Sequence, residues 1–313
     1  ASMPMRPPAS PPSPTDERAP VSDLHTAVRG ASARLEAAGI RSPETDAVEL
    51  AAFALGTTAG DVHRAMVLRT TPDAGFAAAF EALVSERLTR VPLQHLTGRA
   101  HFRGLTLAVG PGVFVPRPET EVTAGLAIDA ASAMGRQGDG VVVVDLCTGS
   151  GALALAVKDE LPGAEVLAVE LSDLAHGWAL ANRDHLGLDV EVRLGDATTA
   201  FDDLEGEVDV VVSNPPYIPV GAVPVDPEVR DHDPALALYG GSADGLAIPL
   251  AVAARAAVLL REGGVLVMEH ADSQGASLPA ALRATGLWGD VLDHADLTGR
   301  PRATVAVRAG AHR

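Results

Sequence analysis

Asn214-Pro215-Pro216-Tyr217 is the stretch of this chain best suited to chemistry. Neither proline has an N–H and both fix φ, so the backbone can continue neither a strand nor a helix and stays stiff and extended. The Asn214 side-chain oxygen and the bare Pro215 carbonyl, held on such a mount, are suited to accepting two hydrogen bonds from a planar NH2 group. The tetrad follows Val208–Val212, an apolar run broken only by Asp209, which reads as a buried parallel strand. In open α/β sheets ligands bind at that carboxyl end. The plainer reading is a proline-rich loop with Asn as its turn residue.

A second constellation, Asp145-Leu146-Cys147-Thr148-Gly149-Ser150-Gly151, lies between an apolar β run and a helix. Its glycines let the backbone turn tightly and approach a ligand, and the helix beyond offers free N–H groups. A dinucleotide fingerprint would need G-x-G-x-x-G, whereas here only Gly149 and Gly151 follow an acid. That acid repels a pyrophosphate and attracts a cation, which favours S-adenosylmethionine, whose sulfonium and ammonium are both positive. An ordinary strand–helix turn is the alternative. Glu170 ends the next strand and can accept both ribose hydroxyls of a nucleoside, or simply be solvated. Gly195-Asp196-Ala197 follows the third strand; Asp196 can accept from an adenine amino group while Ala197 leaves room for the ring, or Asp196 is a turn residue. All four loops fall at carboxyl ends of successive predicted strands and so share one rim.

The elements that must position them follow from patterning. At 313 residues, 47% hydrophobic and 21% charged, the chain can hold two domains and a sizeable core. It has no apolar run of about 18 residues, so no transmembrane helix is expected. Cys147 is its one cysteine, which fits a reducing cytoplasm and no intrachain disulfide. A net charge of −17 argues against gripping a nucleic-acid backbone. Residues 1–20 are rich in proline, lack an apolar signal core and are expected to be a disordered tail.

Residues 21–90 read as a helical domain: Ser22 caps a helix ended by Gly39, Ser42-Pro43 opens one closed by Gly56, and Thr71-Pro72 opens one with Phe76, Phe80, Leu83, Val84 and Leu88 on a single face. Such a bundle is either a structural cap or a docking surface. Residues 91–118 read as a hairpin and linker, with strands near Phe102 and Leu105–Val109, and a stub at Val113–Val115 stopped by Pro116. Glu119 opens a helix through about Ala133, and Arg136–Gly140 is a polar loop. From Val141 onward strands and helices alternate, which implies βαβ units and a parallel sheet; a long irregular stretch, Pro215 to about Gly245, interrupts them.

With these residues assembled, the chain resembles the class I S-adenosylmethionine-dependent methyltransferases. More narrowly it resembles the HemK/PrmC protein-glutamine N5-methyltransferases, which act on peptide chain release factors. The narrower likeness rests on Pro92-Leu-Gln-His-Leu-Thr-Gly98 with Phe102-Arg-Gly-Leu105, on Pro116-Arg-Pro-Glu-Thr-Glu121, and on the Asp145–Gly151 loop. It rests too on the Asn214–Tyr217 tetrad followed by Asp233-Pro-Ala-Leu236 and Gly240-Gly-Ser-Ala-Asp-Gly245. The resemblance implies an α/β, Rossmann-like sheet with a reversed last strand over residues 119–313, and an N-terminal helical bundle that recognises the release factor. It places cofactor contacts on Asp145, Cys147, Thr148, Gly149, Ser150, Gly151, Glu170, Asp196, Ala197 and Asn214, and substrate contacts on Asn214, Pro215, Pro216 and Tyr217. It implies glutamine methylation in a Gly-Gly-Gln loop; from the hydropathy and acidity above, no membrane and no direct nucleic-acid partner are expected. Three positions depart from the family pattern: Cys147 stands for a glycine, where a left-handed backbone would be costly; Glu170 stands where Asp is frequent; and His95-Leu96 replaces an aromatic–aliphatic pair.

Rival readings keep the tetrad and change the acceptor, to an exocyclic amine of adenine or guanine in nucleic acid or to a glutamine of a ribosomal protein. A non-catalytic scaffold has no need of Asn214. His101, His176, His185 and His270 match no metal-site spacing and read as solvated or core histidines, so no metal is expected. Asp202-Asp203-Leu204-Glu205 reads as a solvated acidic loop, and Trp178 and Trp288 as packing residues.

Overall fold

The structure, a computed structural model, describes residues 23–135 and 140–310. The expected disordered tail, the Ser22 cap and residues 136–139 of the polar loop lie outside them. The chain divides into two compact units, one ending at Thr89 and the other starting at Arg90.

The first unit holds helices α1 (Leu24–Ala37), α2 (Pro43–Leu55), α3 (Ala59–Val67) and α4 (Phe76–Leu88). Asp23 caps α1, its carboxylate accepting the Thr26 N–H at 2.9 Å. Pro43 takes the first position of α2, and Gly56 closes it at φ 63°. Helix α3 has no counterpart in the sequence reading; Thr58 caps it by accepting from the Asp61 N–H. Helix α4 does not start at Thr71-Pro72. Asp73 instead accepts the N–H groups of Gly75 and Phe76, both at 3.0 Å, and delays helix entry to Phe76. Phe76, Phe80 and Val84 are buried as expected, but Leu83 and Leu88 are only partly so. Arg87 takes the remaining interior place, paired with Asp46 at 2.7 Å. Hydrophobic periodicity does not register a buried ion pair.

The second unit begins with α5 (Leu93–Thr97) and the antiparallel hairpin β1 (Arg99–Phe102) and β2 (Leu105–Ala108). Val113–Val115 forms no strand: both valines are buried in a small apolar cluster with Ala100, Val109 and Ala175, and burial alone explains their type. After α6 (Thr120–Met134) come β3 (Val142–Leu146), α7 (Ala152–Glu160), β4 (Glu165–Glu170), α8 (Asp173–Leu186), β5 (Val190–Leu194) and β6 (Val208–Ser213). Two short helices, α9 (Pro227–His232) and α10 (Ala235–Leu238), occupy the stretch expected to be irregular. Then follow α11 (Ala247–Leu259), β7 (Leu260–Glu269), α12 (Ser277–Ala284), β8 (Trp288–Ala295) and β9 (Pro301–Arg308).

The strands order as β5-β4-β3-β6-β7-β9-β8. The first five are parallel, and β9 runs antiparallel to both neighbours, which is the reversed last strand. Both faces are covered, which is why the central strands read as continuous apolar runs. Val143, Val210 and Val212 pack on the side of α6, α7 and the hairpin, while Val144, Leu146, Val211 and Met268 pack on the side of α11 and α12. Asp209, the one polar residue early in β6, accepts the Val142 N–H at 2.8 Å and so satisfies the first donor of β3.

Candidate active site

Connections run from β3 outward through β4 to β5, then return to β6 on the other side of β3. That reversal opens a crevice at the carboxyl ends of β3 and β6. Leu146 and Ser213 are register partners, so the glycine loop and the diproline corner leave the sheet at one level, side by side. Val169 is level with Leu146, and Glu170 is paired with Leu194. All the loops singled out in the sequence therefore meet on one rim.

Cys147 adopts φ 71°, the left-handed conformation that its non-glycine character makes costly, and the chain accepts that cost at the first residue of the loop. The loop is held by the next strand. The Thr148 N–H donates to the Val169 carbonyl at 3.0 Å, and the Gly149 N–H to Glu170 Oε2 at 2.8 Å. Glu170 Oε1 accepts the Ser172 N–H at 2.9 Å. Glu170 thus braces the glycine loop, a role its sequence position does not disclose, and each of its oxygens keeps acceptor capacity beyond these bonds. Thr148 and Ser150 are buried, as is Asn182 on α8. Asn182 donates to the carbonyls of Ser150 (2.9 Å) and Ala108 (3.0 Å), tying the loop to the hairpin.

Asp145 is fully buried. Its Oδ2 accepts from the Thr148 hydroxyl at 2.5 Å and the Ala154 N–H at 3.2 Å, while Oδ1 has no partner. Burial pushes this carboxyl up to about 7, against the pull of those two bonds. Asp196 Oδ1 accepts the Thr198 N–H (2.8 Å) and hydroxyl (2.7 Å), the geometry of a turn residue, with Ala197 buried beside it. The Cys147 thiol is pushed up by burial and then by the carboxylates of Glu170, Asp145 and Asp196. Three acids around one loop, one with an unpartnered buried oxygen, fit a cationic nucleoside and disfavour a pyrophosphate.

At the corner, Pro215 is buried while Asn214, Pro216 and Tyr217 are half-buried. Asn214 Nδ2 donates to the Thr120 hydroxyl at 3.4 Å. Among the described residues no donor bonds Asn214 Oδ1 or the Pro215 carbonyl, so both acceptors of the expected pair are uncommitted. The Tyr217 hydroxyl is pushed up by burial and then by the charge of Glu269. Its main-chain carbonyl accepts from Gln274 Nε2 at 3.0 Å, and the same amide reaches the Asp244 carbonyl at 2.9 Å. Gly245, at φ 74°, lies against Tyr217 so closely that a methyl group would overlap its carbonyl. The stretch after the tetrad is pinned through the Ile218 N–H to the Leu238 carbonyl (2.7 Å) and the Val220 N–H to the Ser242 carbonyl (2.8 Å). Beyond Val220, Val223 and Val225 are exposed.

Sequence reasoning does not assign Thr120, Thr123, Glu269, Gln274 or Asn182. The only signal is the Pro116–Glu121 stretch, whose Thr120 meets Asn214, and whose Arg117 holds the buried Asp233 at 2.6 Å. His95, on α5, has a buried Nε2 with no partner; burial and then the nearby His232 and Arg117 push its pKa down. His270 is wholly buried, with Nε2 at 2.8 Å from Asp293. Trp178 donates to the Pro111 carbonyl and Trp288 is buried in β8, so both serve packing. The acidic loop is solvated as expected, with Asp202, Asp203 and Glu205 exposed, and it adds two surface ion pairs, Asp203 with Arg193 (2.7 Å) and Glu205 with Arg255 (2.6 Å).

Known proteins resemble this chain along most of its length. Residues 26–98 match the family described as PrmC N-terminal domain, and residues 105–224 match the methyltransferase small domain. The release factor glutamine methyltransferase of Streptomyces coelicolor is 52% identical over 285 residues, covering 90% of this chain and 97% of that protein. That of Mycolicibacterium smegmatis is 48% identical, covering 91% and 98%. The 4-amino-L-phenylalanine/4-methylamino-L-phenylalanine methyltransferase of Streptomyces pristinaespiralis is 41% identical, covering 85% and 89%. The parallel sheet with its reversed last strand and its acid-lined glycine loop is that of a class I methyltransferase, an enzyme whose methyl donor is S-adenosylmethionine. Within that class, the chain belongs to the release factor glutamine methyltransferase family.

Proposed function

We propose that this enzyme methylates the side-chain amide nitrogen of a glutamine, in the Gly-Gly-Gln loop of a peptide chain release factor, in the cytoplasm. The observation that carries the reading is the uncommitted acceptor pair, Asn214 Oδ1 and the Pro215 carbonyl, one strand away from the acid-lined loop. Two acceptors on a rigid corner match the two N–H groups of one carboxamide. The names of relatives along nearly the whole chain support the same substrate.

Asp145, Cys147 to Gly151, Glu170, Asp196 and Ala197 would hold the donor, with Asp145 Oδ1 as the buried counter-charge. When bound, S-adenosylmethionine supplies a methyl carbon made electrophilic by its sulfonium. A glutamine nitrogen is a poor nucleophile because its lone pair is delocalised into the carbonyl. Asn214 Oδ1 and the Pro215 carbonyl would take both N–H bonds, aim the nitrogen and favour its pyramidalisation. Tyr217 would pack beside the amide plane, its backbone fixed by Gln274. Alignment of this kind supplies about 7–11 kcal/mol in favourable systems. The chain needs no base beforehand, because the alkylated nitrogen is acidic enough to release its proton to water.

A second reading has one specific observation behind it, the 41% identical relative named for aryl amines. An aryl NH2 also offers two N–H groups to the same acceptors. Incubation with labelled donor and, separately, purified release factors, free 4-aminophenylalanine and RNA separates the readings. Label on the glutamine of a Gly-Gly-Gln loop is expected, lost by orders of magnitude in Asn214→Ala while donor binding persists. Near-normal turnover in that variant, or label on RNA or the amino acid alone, rejects it.

A further inference from the structure

We propose that Thr120, held by Glu269, is a positioning residue that dictates which end of the Asn214 amide faces the substrate. The inference rests on the role of Asn214 proposed above for its functional consequence, but its structural content stands apart from the substrate. Thr120 and Thr123 lie one turn apart on α6 and are buried, and both donate to the buried Glu269 at the end of β7. Thr120 Oγ1 reaches Glu269 Oε1 at 3.2 Å, and Thr123 Oγ1 reaches Oε2 at 3.0 Å.

A hydroxyl carries a single proton, and an ionised carboxylate only accepts. With its proton spent on Glu269, Thr120 can only accept from Asn214, whose Nδ2 lies 3.4 Å away. The inverted amide would set Asn214 Oδ1 against Thr120 Oγ1 with no proton between them. It would also turn N–H groups toward a substrate NH2, donor against donor. A chain of donors running Asn214 to Thr120 to Glu269 therefore turns Asn214 Oδ1 outward as the acceptor, and it does so from a carboxylate that never touches substrate.

The device has a pH sense. Burial raises Glu269 to about 7, while its two threonine bonds and then the Arg302 charge favour the carboxylate and Glu119 opposes it. The charged or titratable groups facing it are Glu119 from the turn before α6, Arg302 from β9 and Tyr217 from the corner. Above its pKa Glu269 is acceptor-only and the direction of the chain is fixed. Below it the carboxyl carries a proton of its own, Thr120 can reverse, and the preference of Asn214 weakens.

The test uses the full chain without donor or substrate. The Asn214 side-chain amide signal is followed by nitrogen-15 NMR through a pH titration. Wild type and Thr120→Ser are expected to shift with a midpoint near 7, following Glu269. Thr120→Val, which keeps the volume and removes the hydroxyl, is expected to lose that response, as is Glu269→Gln. With donor and release factor, Thr120→Val is expected to lower kcat by about tenfold or more at unchanged KM for the donor, with Thr120→Ser restoring it. An Asn214 signal that ignores the Thr120→Val change, or a Thr120→Val enzyme with wild-type kcat, overturns the inference. If wild type labels no release factor, the proposed function fails, and the NMR titration alone decides this inference.

Discussion

Arg117 grips the fully buried carboxylate of Asp233 at 2.6 Å, joining two stretches that lie 116 residues apart in the chain. Arg117 also lies over the Phe114 ring, its guanidinium carbon 5.1 Å from the centroid. Burial raises the Asp233 pKa, and the Arg117 charge is the main force holding it down. Arg117→Ala is therefore expected to cost about 3 kcal/mol in denaturant unfolding at neutral pH, the scale of a buried pair broken on one side. The sign with pH follows. Without Arg117 the carboxyl titrates higher, and a raised acid is least costly when protonated, so the deficit should shrink as pH falls. A deficit independent of pH would mean that Asp233 is not its source.

Gly245 and Gln274 together fix the backbone of Tyr217. Gly245→Ala places a methyl on the Tyr217 carbonyl and strains a residue at φ 74°. A displacement of about 1 Å at a reacting centre costs about a hundredfold in rate. Turnover should fall on that scale while the donor dissociation constant, read by calorimetry, stays near wild type. Loss of donor binding in step with turnover would place the damage in the glycine loop instead.

The left-handed Cys147 offers a stability test. Cys147→Gly removes about 1 kcal/mol of backbone strain, adds a similar unfolded-state entropy cost and loses thiol packing. Its melting temperature should stay close to wild type. Cys147→Val sets a β-branched residue at φ 71° and should cost about 2 kcal/mol, with weaker donor binding. Equal stability of the valine variant would show that the loop relaxes to another conformation.

The donor site proposed around Asp145 predicts proton release on donor binding. Its carboxyl, raised to about 7 by burial, is largely protonated at slightly acidic pH, and a cation beside Oδ1 favours ionisation. Titration calorimetry in buffers of different ionisation heat should show up to about one proton released near pH 6 and almost none near pH 8. Asp145→Asn should abolish the difference. In the free protein this raised acid contributes stability that is full below the ordinary carboxylate range and is lost as pH rises through about 7, and Glu269 acts with the same sign.

How much of the fold is legible in the sequence follows from what periodicity can carry. Strand and helix runs such as Val190–Leu194 and Asp173–Leu186 are legible to the residue, because the strand alternates apolar with charged residues and the helix buries one face through Ala175, Ala179 and Asn182 between Ser172 and Gly187. The rim of the site is legible because strand-end loops in a parallel sheet share one edge. The misread elements are those decided by single side chains: Asp73 delaying α4, and valines 113 and 115 buried without a ladder. The partners of Asn214 are hidden for a related reason. Thr120 and Glu269 lie 149 residues apart, and a threonine in a helix turn or an acid at a strand end carries no mark of a distant hydroxyl or carboxylate.

The pairing of Leu146 with Ser213 sets the glycine loop and the diproline corner on a single rung of the sheet, and under the proposed function that has an evolutionary consequence. Insertion within β3 or β6 would shift the two loops out of level, and with the roles proposed for them it would separate methyl source from recipient. The short turn holding Val223 and Val225, between the Val220 anchor and α9, leaves both side chains exposed and is far freer to be rewritten. New recipients can thus arise on this scaffold by altering what surrounds the corner, leaving the corner itself inherited intact.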